Sequence, residues 1–373
     1  MGTVRLLLAL AVVFAHAPAP FGLNLTGGAL AVQLFYVISG FYMAIVLDQK
    51  YAPTPVGRSA FWVNRVLRLA PCYYAVLLAT LALSFNAGWN TYSPSSFPPA
   101  LATWHEQAPH MGWPAEAFLG LVNLTVIGQD VTVFTALDPA SGHLVFTPHA
   151  VSAALIPAWK FIVIPQAWTL SLELMFYALA PWLVRRSTRW LTTAIVASLV
   201  IRAATYAAFG HADPWTYRFF PSELGVFIAG ILAYRWYSRQ GVPKTAADLD
   251  NVARTVLVTV VVALVIYSKA EELIIVAAFA AAVPWLFRAT GRLRADRWIG
   301  ELSYPVYIGH VMLLPCAWQI ATASHPFSAG LLAAGLAVGF AAFFHTLVET
   351  SVDRFRQRLA GSPAIPGPAT RSE

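Results

Sequence analysis

The chain has 373 residues, of which 58% are hydrophobic and only 11% are charged. With a mean hydropathy of +0.63, it has too few polar side chains to cover a soluble globule, and we expect an all-α polytopic membrane protein. The formal net charge is +7. Basic loops that face the cytoplasm and anionic lipid explain this charge. The lipid bilayer is therefore an expected partner, and nucleic acid is not.

Ten apolar runs of about 17 to 22 residues are long enough to cross the roughly 30 Å hydrocarbon layer as helices. If they alternate from an inner start, the Lys and Arg residues fall in cytoplasmic segments, except Lys160, Arg202, Arg218 and Lys269. This bias predicts cytoplasmic N- and C-termini and a multi-pass protein of the inner membrane, if the source is bacterial. The runs begin near Val4, Ala29, Leu67, Trp168, Trp190, Pro221, Thr255, Glu272, Ser303 and Ser328.

The first run, Val4 to Ala17, has two interpretations. It resembles a secretory leader with a cleavage site at Ala15-His16-Ala17, and it also fits a short first span of about 21 Å that ends before Pro18. Under the first interpretation His16 is removed with the leader. Under the second, an imidazole lies inside the membrane.

The longest connection, residues 86–166, is external in this scheme. Within it, Phe118 to Phe134 is apolar but interrupted by polar residues, which predicts a re-entrant or surface-lying helix. We expect residues 1–358 to form a single membrane domain. The Pro- and Gly-containing tail, residues 359–373, is expected to be a disordered cytoplasmic segment.

Arg5 and His16 are eleven residues apart, which is three helical turns plus about 20° and a rise of about 16 Å. They therefore share one helical face. Ionisable groups at membrane depth are costly and are functional candidates by default. The structural alternative is that Arg5 anchors the helix end and His16 is a hydrogen-bonded packing residue.

Further polar side chains fall within or beside the apolar runs, and each could instead serve packing alone. Arg65 and Arg68 share a helical face before Pro71, where two guanidinium groups could hold phosphates or merely orient the chain. The other candidates, in chain order, are Ser39, Tyr42, Ser171, Glu173, Glu223 and His310. For Glu173 the possible partners are Arg202, Arg218 and His16.

Taken together, these segments resemble the acyltransferase-3 family of integral-membrane enzymes that O-acylate sugars. The resemblance runs from Val4 to about Arg358. It is carried by Arg5 and His16 separated by ten residues, and by "FYVISGFYM", "NRVLRLAPCYY", "AWTLSLELMFY", "RFFPSELGVFIAG" and "LSYPVYIGHVML", in that order.

The resemblance implies that Arg5 and His16 are essential, that Arg65 and Arg68 form the family's R-x-x-R pair, and that acetyl-CoA is the donor. The chain departs from the family pattern at three places. Gln33 stands where the family often has an acid, Glu349-Thr350-Ser351 where it often has Glu-Arg-Pro, and Gly309 where it often has Trp. Because of these departures, Gln33, Glu349 and His310 are left out of the predicted site.

The resulting hypothesis is a membrane O-acyltransferase that moves an acyl group, acetyl in the first instance, from acyl-CoA to a hydroxyl of a cell-surface or exported glycan or a lipid-linked saccharide. Phosphates of the donor would meet Arg65, Arg68 and Arg5, and His16 would act as general base or as an acyl-histidine relay. Glu173 would orient His16, and the weaker candidates for substrate or oxyanion contact are Ser39, Tyr42, Ser171 and Glu223.

No permanently bound cofactor and no metal is expected. The alternative from another functional class is a multi-span transporter or flippase for a glycan or lipid-linked substrate. A membrane scaffold is a third hypothesis, but it leaves the ordered segments unexplained.

Overall fold

The computed structural model describes residues 1–22, 25–51, 53–86, 100–148, 154–209, 213–239, 272–291, 293–321, 326–349 and 352. This part of the chain is mostly helical. Its α-helices are α1 (Gly2–His16), α2 (Gly28–Gln49), α3 (Pro55–Asn86), α4 (Ala100–Gln107), α5 (Trp113–Thr125), α6 (Trp168–Leu183), α7 (Thr188–Phe209), α8 (Phe220–Arg239), α9 (Glu272–Thr290), α10 (Arg294–Ala321) and α11 (Pro326–Phe344). A π-helical turn, His345–Glu349, continues α11.

Nine of the predicted spans coincide with helices, namely α1 to α3 and α6 to α11. The span predicted near Thr255 and the predicted tail lie outside the described residues. Within the described part of the chain, five helical segments are long and apolar enough to cross a membrane: Gly28–Gln49, Pro55–Ser84, Thr188–Phe209, Glu272–Thr290 and Ala329–Val348. Gly2–His16 is a shorter apolar helix, α6 has only 16 residues, and α8 and α10 carry charged residues near their ends. The count of ten spans therefore stays a prediction.

The connection between α3 and α6 forms a small folded unit against one end of the helices. Its sheet has the order β2-β1-β3, with β1 (Thr135–Asp138) antiparallel to both β2 (His143–Phe146) and β3 (Ile156–Pro157). The predicted re-entrant or surface helix corresponds to α5 and the short 3₁₀ helix after it. Hydrogen bonds from Tyr73 and Tyr74 to backbone carbonyls near the end of α5 attach this unit to α3.

We call the end of the helices that contacts this unit the loop end. The opposite end carries Arg5, Arg65 and Arg68, and we call it the arginine end. The main hydrophobic core lies between these ends and is built by buried side chains of α1, α2, α6, α8, α9, α10 and α11.

A close helix contact in this core joins α2 to α8 through two glycines. A Cβ added at Gly40 would lie 2.0 Å from the carbonyl oxygen of Phe227, and one added at Gly230 would lie 2.1 Å from that of Val37. Both obstacles are backbone atoms, which a side-chain rotation cannot clear. Small residues are used in this way where the backbones of membrane helices approach closely.

Gly40→Ala and Gly230→Ala are therefore expected to separate α2 from α8 and to destabilise the protein by about 1–3 kcal/mol or more, the usual effect of overpacking. The measurement is the thermal unfolding midpoint of the protein in detergent. Gly335→Ala and Gly339→Ala are matched controls in α11, because a Cβ at either position meets nothing within 4 Å. A Gly40→Ala protein that is as stable as these controls would contradict the packing described here.

Candidate active site

Two histidines from different helices meet inside the bundle. His16 is the last residue of α1, and His310 is a fully buried residue in the middle of α10. The Nε2 atom of His310 lies 3.3 Å from Nδ1 of His16, and the ring centroids are 5.1 Å apart. The structure thus pairs the predicted base with a histidine that the sequence analysis had left out.

Backbone carbonyls assign the protonated nitrogen of each ring. Nδ1 of His310 lies 2.6 Å from the Tyr307 carbonyl oxygen, and Nδ1 of His16 lies 2.9 Å from that of Val12. A carbonyl oxygen only accepts hydrogen bonds, so in the neutral rings both Nδ1 atoms carry the proton. Nε2 of His310 is then an acceptor facing His16, and Nε2 of His16 carries the lone pair that a general base needs.

The position of His16 depends on how α1 begins and ends. At the arginine end, the Asp296 carboxylate of α10 accepts hydrogen bonds from the backbone N–H groups of Gly2 (2.7 Å) and Thr3 (2.8 Å). These are first-turn donors that have no partner within their own helix. At the other end, Ala17 adopts an extended conformation, and Pro18 cannot continue the helical hydrogen bonds.

Burial disfavours the ionised form of Asp296, but the hydrogen bonds from the N-terminal ammonium group and from Thr3 and Gly2 outweigh it and hold the pKa of this carboxyl well below its usual range. Asp296 therefore stays ionised at neutral pH and keeps α1 attached to α10. A Cβ added at Gly2 would clash with the backbone carbonyl of Asp296, and one added at Gly300 would clash with the Cα atom of Gly2, so these glycines let the two backbones touch. Both helices run from there toward the histidine pair.

A cavity of about 560 Å³ lies at the loop end and includes His16 in its wall. Aromatic side chains form much of the lining, together with a few polar ones. Such a composition is typical of small-molecule sites, where apolar walls provide contact area and a few polar groups orient the ligand. The aromatic lining residues are Trp159, Trp168, Tyr217 and Tyr307, and the polar ones are Gln129, Thr132, Gln166, Asp213 and Arg218.

The three predicted arginines lie at the arginine end but differ in their surroundings. Arg68 forms an ion pair with Glu301, and Arg5 packs against Gly300 of α10. Burial disfavours the ionised form of Glu301, whereas Arg68 and Arg5 outweigh this effect and keep the pKa of this carboxyl below its ordinary value. Arg68 is therefore ion-paired with Glu301, and the charge of Arg5 acts on the same carboxylate from a greater distance.

Arg65 has no carboxylate within ion-pair distance among the described residues. One guanidinium nitrogen donates to the amide oxygen of Asn64 (3.1 Å) and another contacts the sulfur of Met43 (3.9 Å). Its Nε is buried and has no hydrogen-bond partner within the described part of the chain. A partly buried guanidinium in this state is expected to attract an anion.

The predicted carboxylates are not beside His16. Glu173 accepts hydrogen bonds from the hydroxyls of Ser39 (2.8 Å) and Tyr177, which links α6 to α2. Glu223 is fully buried and pairs with Arg202 at 2.6 Å, and the side-chain amide of Gln33 donates to the same oxygen at 3.1 Å. Arg202, which was considered as a partner of Glu173, thus pairs with Glu223 instead.

The remaining hydroxyl candidates occupy separate places. Ser171 donates to Asp130 (2.6 Å) and accepts from the backbone N–H of Gly128 (3.0 Å). It therefore attaches α6 to the turn that follows α5. Tyr42 lies among the aromatic rings of Phe41 and Phe287. Neither residue belongs to the lining of the cavity that contains His16.

A polar residue inside an apolar run was the signal that could have identified His310. The departure from the family pattern at the neighbouring Gly309, where the family often has Trp, argued against His310 as a site residue. In the structure, a Cβ at Gly309 would lie 2.8 Å from the ring of Phe340, so Gly309 is the residue that lets α11 approach α10 at this level. No short motif marked Asp213, Tyr217 or the glutamines of the cavity, because they converge only through the fold.

Comparisons with known proteins identify the family of this chain. A sequence profile of the acyltransferase-3 family, described as an acyltransferase domain, matches residues 2–346. The chain is also 26% identical over 234 residues to the exopolysaccharide production protein ExoZ of Rhizobium meliloti (strain 1021). That alignment covers 62% of this chain and 58% of ExoZ, so the chain spans less than two thirds of that relative. No solved structure matches the chain. Because the profile covers almost all of it, this membrane protein belongs to the acyltransferase-3 family.

Proposed function

We propose that this acyltransferase moves an acyl group, acetyl being the expected one, from cytosolic acyl-CoA to a hydroxyl of a cell-surface or exported glycan. The observation that carries the proposal is the position of His16. Its imidazole lies in the wall of the cavity at the loop end, and its own helix leads back over about 16 Å to Arg5. One helix therefore connects an anion-attracting end with a ligand cavity.

The cavity supports a saccharide as the acceptor. Pyranose rings have apolar C–H faces that pack against aromatic rings, and hydroxyl edges that need hydrogen-bonding partners. The lining offers both kinds of surface through Trp159, Trp168 and the polar residues around them. The name of ExoZ refers to exopolysaccharide production, which agrees with a polysaccharide acceptor for this chain.

The arginine end supports acyl-CoA as the donor. The positive-inside bias assigns this end to the cytoplasm, where acyl-CoA is found, and the loop end then faces the exterior. The donor's phosphates would bind at Arg65, whose guanidinium lacks a carboxylate partner within the described residues, with Arg68 and Arg5 nearby. An extended pantetheine arm matches the distance from there to His16.

Besides the acyl donor and the acceptor, the proposed reaction needs only one base. Nε2 of His16 takes the proton of the acceptor hydroxyl while that oxygen attacks the thioester carbonyl carbon. The carbon–sulfur bond then breaks, and the coenzyme A thiolate receives the proton from the imidazolium of His16. The acceptor nitrogen of His310 stabilises that imidazolium through the hydrogen bond to Nδ1, as the third member of a catalytic triad does for its histidine.

In the alternative route, Nε2 of His16 first attacks the thioester and forms an acyl-histidine. The two routes differ when no acceptor is present, since only the acyl-histidine route then leaves an acyl group attached to His16.

For stabilisation of the oxyanion, Ser39 and Ser171 are weak candidates because their hydroxyls already donate to Glu173 and Asp130. To stabilise the oxyanion, each hydroxyl would have to give up its hydrogen bond to its carboxylate partner.

His16→Ala is expected to lower the rate of acyl transfer by about 10²- to 10⁴-fold, the usual contribution of a general base. The measurement is release of coenzyme A thiol in nanodiscs with a glycan acceptor. His143→Ala, at an exposed position of β2, is the matched control and should keep the wild-type rate. A His16→Ala protein with ordinary transfer rates would remove the proposal, and a transporter would consume no acyl-CoA at all.

His310→Phe is expected to lower kcat about ten- to hundredfold with little change in KM for acyl-CoA, because it removes a hydrogen bond to a group that becomes charged, worth about 1.5–3 kcal/mol. His310→Gln retains an acceptor oxygen close to the position of Nε2 and should recover part of the rate. If both variants raise KM without affecting kcat, His310 does not act on the base.

Arg65→Gln is expected to raise KM for acyl-CoA about tenfold or more, since charge-assisted hydrogen bonds contribute about 1.5–3 kcal/mol each. With an S-acyl-pantetheine donor, which lacks the phosphates, Arg65→Gln and wild type should give the same KM. Arg186→Gln, at an exposed arginine between α6 and α7, serves as the control. An equal loss with both donors, or loss of the protein from the membrane, would instead show that Arg65 orients or folds the chain.

A further inference from the structure

The connection between α7 and α8 forms part of the wall of the cavity at the loop end. Trp215 anchors this connection against the unit between α3 and α6, with its indole N–H donating to the Pro148 carbonyl oxygen at 2.9 Å. The same indole packs edge-on against Phe134 and Phe146. Three neighbours of this anchor, Asp213, Tyr217 and Arg218, line the cavity.

Two interactions hold the guanidinium of Arg218 in place. Its Nε and Nη2 atoms donate to the two carboxylate oxygens of Asp213 at 2.7 and 3.0 Å, a paired geometry that fixes both side chains. The guanidinium carbon also lies 4.5 Å from the centroid of the Trp168 ring, within the range of a cation–π contact. The polar groups on this wall are therefore positioned before a ligand arrives.

The pair leaves hydrogen-bonding capacity facing the ligand. Arg218 has five N–H donors and Asp213 uses two of them, while the carboxylate can accept about two further hydrogen bonds. The Asp213 side chain is 56% exposed. The hydroxyl of Tyr217, which lines the same cavity, can both donate and accept a hydrogen bond. Adjacent sugar hydroxyls need this mixture, because each one donates once and accepts twice.

The net charge of this wall argues against an anionic ligand. Asp213 and Arg218 are the formally charged side chains among the described residues that line the cavity, and they neutralise each other. A carboxylate-bearing sugar would have to compete with Asp213 for the guanidinium and would approach a like charge. An uncharged saccharide meets no such cost.

We propose that Asp213, Tyr217 and Arg218 form a subsite that selects an uncharged saccharide by binding its adjacent hydroxyls. The subsite rests on the proposed function in one respect, since it names the class of acceptor on which the transferase acts. Asp213 accepts from one hydroxyl, Arg218 donates to its neighbour, and Tyr217 bridges to a third oxygen. These are specificity-determining contacts and take no part in proton transfer at His16.

The test compares two probes, a neutral β-glucose trisaccharide and the same trisaccharide carrying a C6 carboxylate on one ring. Binding is measured by isothermal titration calorimetry with the full chain in nanodiscs and without acyl donor. The wild type is expected to bind the neutral probe at least tenfold more tightly. Equal binding, a preference for the uronate, or binding of neither probe overturns the subsite.

Asp213→Asn is expected to weaken binding of the neutral probe about tenfold and to tighten binding of the uronate severalfold, because Arg218 then carries an uncompensated charge. Asp213→Asn combined with Arg218→Gln should abolish the gain for the uronate. Asp138→Asn, at the last residue of β1 and outside the cavity, is the matched control. An Asp213→Asn protein that behaves like this control with both probes would contradict the proposal.

These outcomes are independent of the chemistry at His16. Binding is measured without transfer, so an inactive preparation still reports the preference of the subsite. Full transfer by His16→Ala would refute the proposed function while leaving these binding constants in place. Conversely, a base-dependent transferase that shows no preference for the neutral probe would refute the subsite alone.

Discussion

The contact between α1 and α10 is the interaction on which the rest of the site depends. It begins at the arginine end, where the Asp296 carboxylate accepts hydrogen bonds from the first turn of α1, and glycines let the two backbones touch. It ends where the two imidazoles meet. A helix of 15 residues is stabilised mainly by such packing, and without it the imidazole of His16 would lose both its position and its hydrogen-bonding partner.

Charge pairing divides the arginines of this chain into two groups. Arg68, Arg202 and Arg218 each have a carboxylate partner, so their charges are largely neutralised where they lie. Arg65 has none within the described residues and also has a buried, unbonded Nε. An ion pair inside a protein organises the helices that it joins, whereas an uncompensated guanidinium is available to a phosphate. Residues of one type thus have different surroundings, and the proposed function gives them different roles.

The two ends of the bundle suit chemically different ligands. The arginine end concentrates positive charge in a region that the charge bias assigns to the cytoplasm, and the cavity at the loop end has aromatic walls and a neutral ion pair. The proposed reaction between a polyanionic donor and an uncharged acceptor would use this separation, because a cavity carrying the same positive charge would also retain the donor. His16 lies between the two regions on a single rigid helix.

Much of the helical framework followed from local properties of the chain. Apolar run length predicted the spans that coincide with α1 to α3 and α6 to α11, because burial in hydrocarbon requires a helix. The boundaries differ where a helix continues beyond the apolar run. α10 begins at Arg294, nine residues before the predicted start at Ser303, since backbone hydrogen bonding does not stop at the membrane surface. Family resemblance, now supported by the match over residues 2–346, indicated the acyltransferase chemistry.

By itself, then, the sequence determined a chain of membrane helices and placed Arg5 and His16 on one face of the first, because helical periodicity is a local property. Only the tertiary structure decided that His310 is the partner of His16, that Glu173 binds Ser39 and Tyr177, and that Asp213 and Arg218 reach the cavity. His16 and His310 are far apart in the chain, as are Ser39 and Glu173, and the cavity brings the connection between α7 and α8 beside the end of α1. Their contacts depend on how closely the helices approach, which glycines at Gly40, Gly230 and Gly300 permit and which no local pattern specifies.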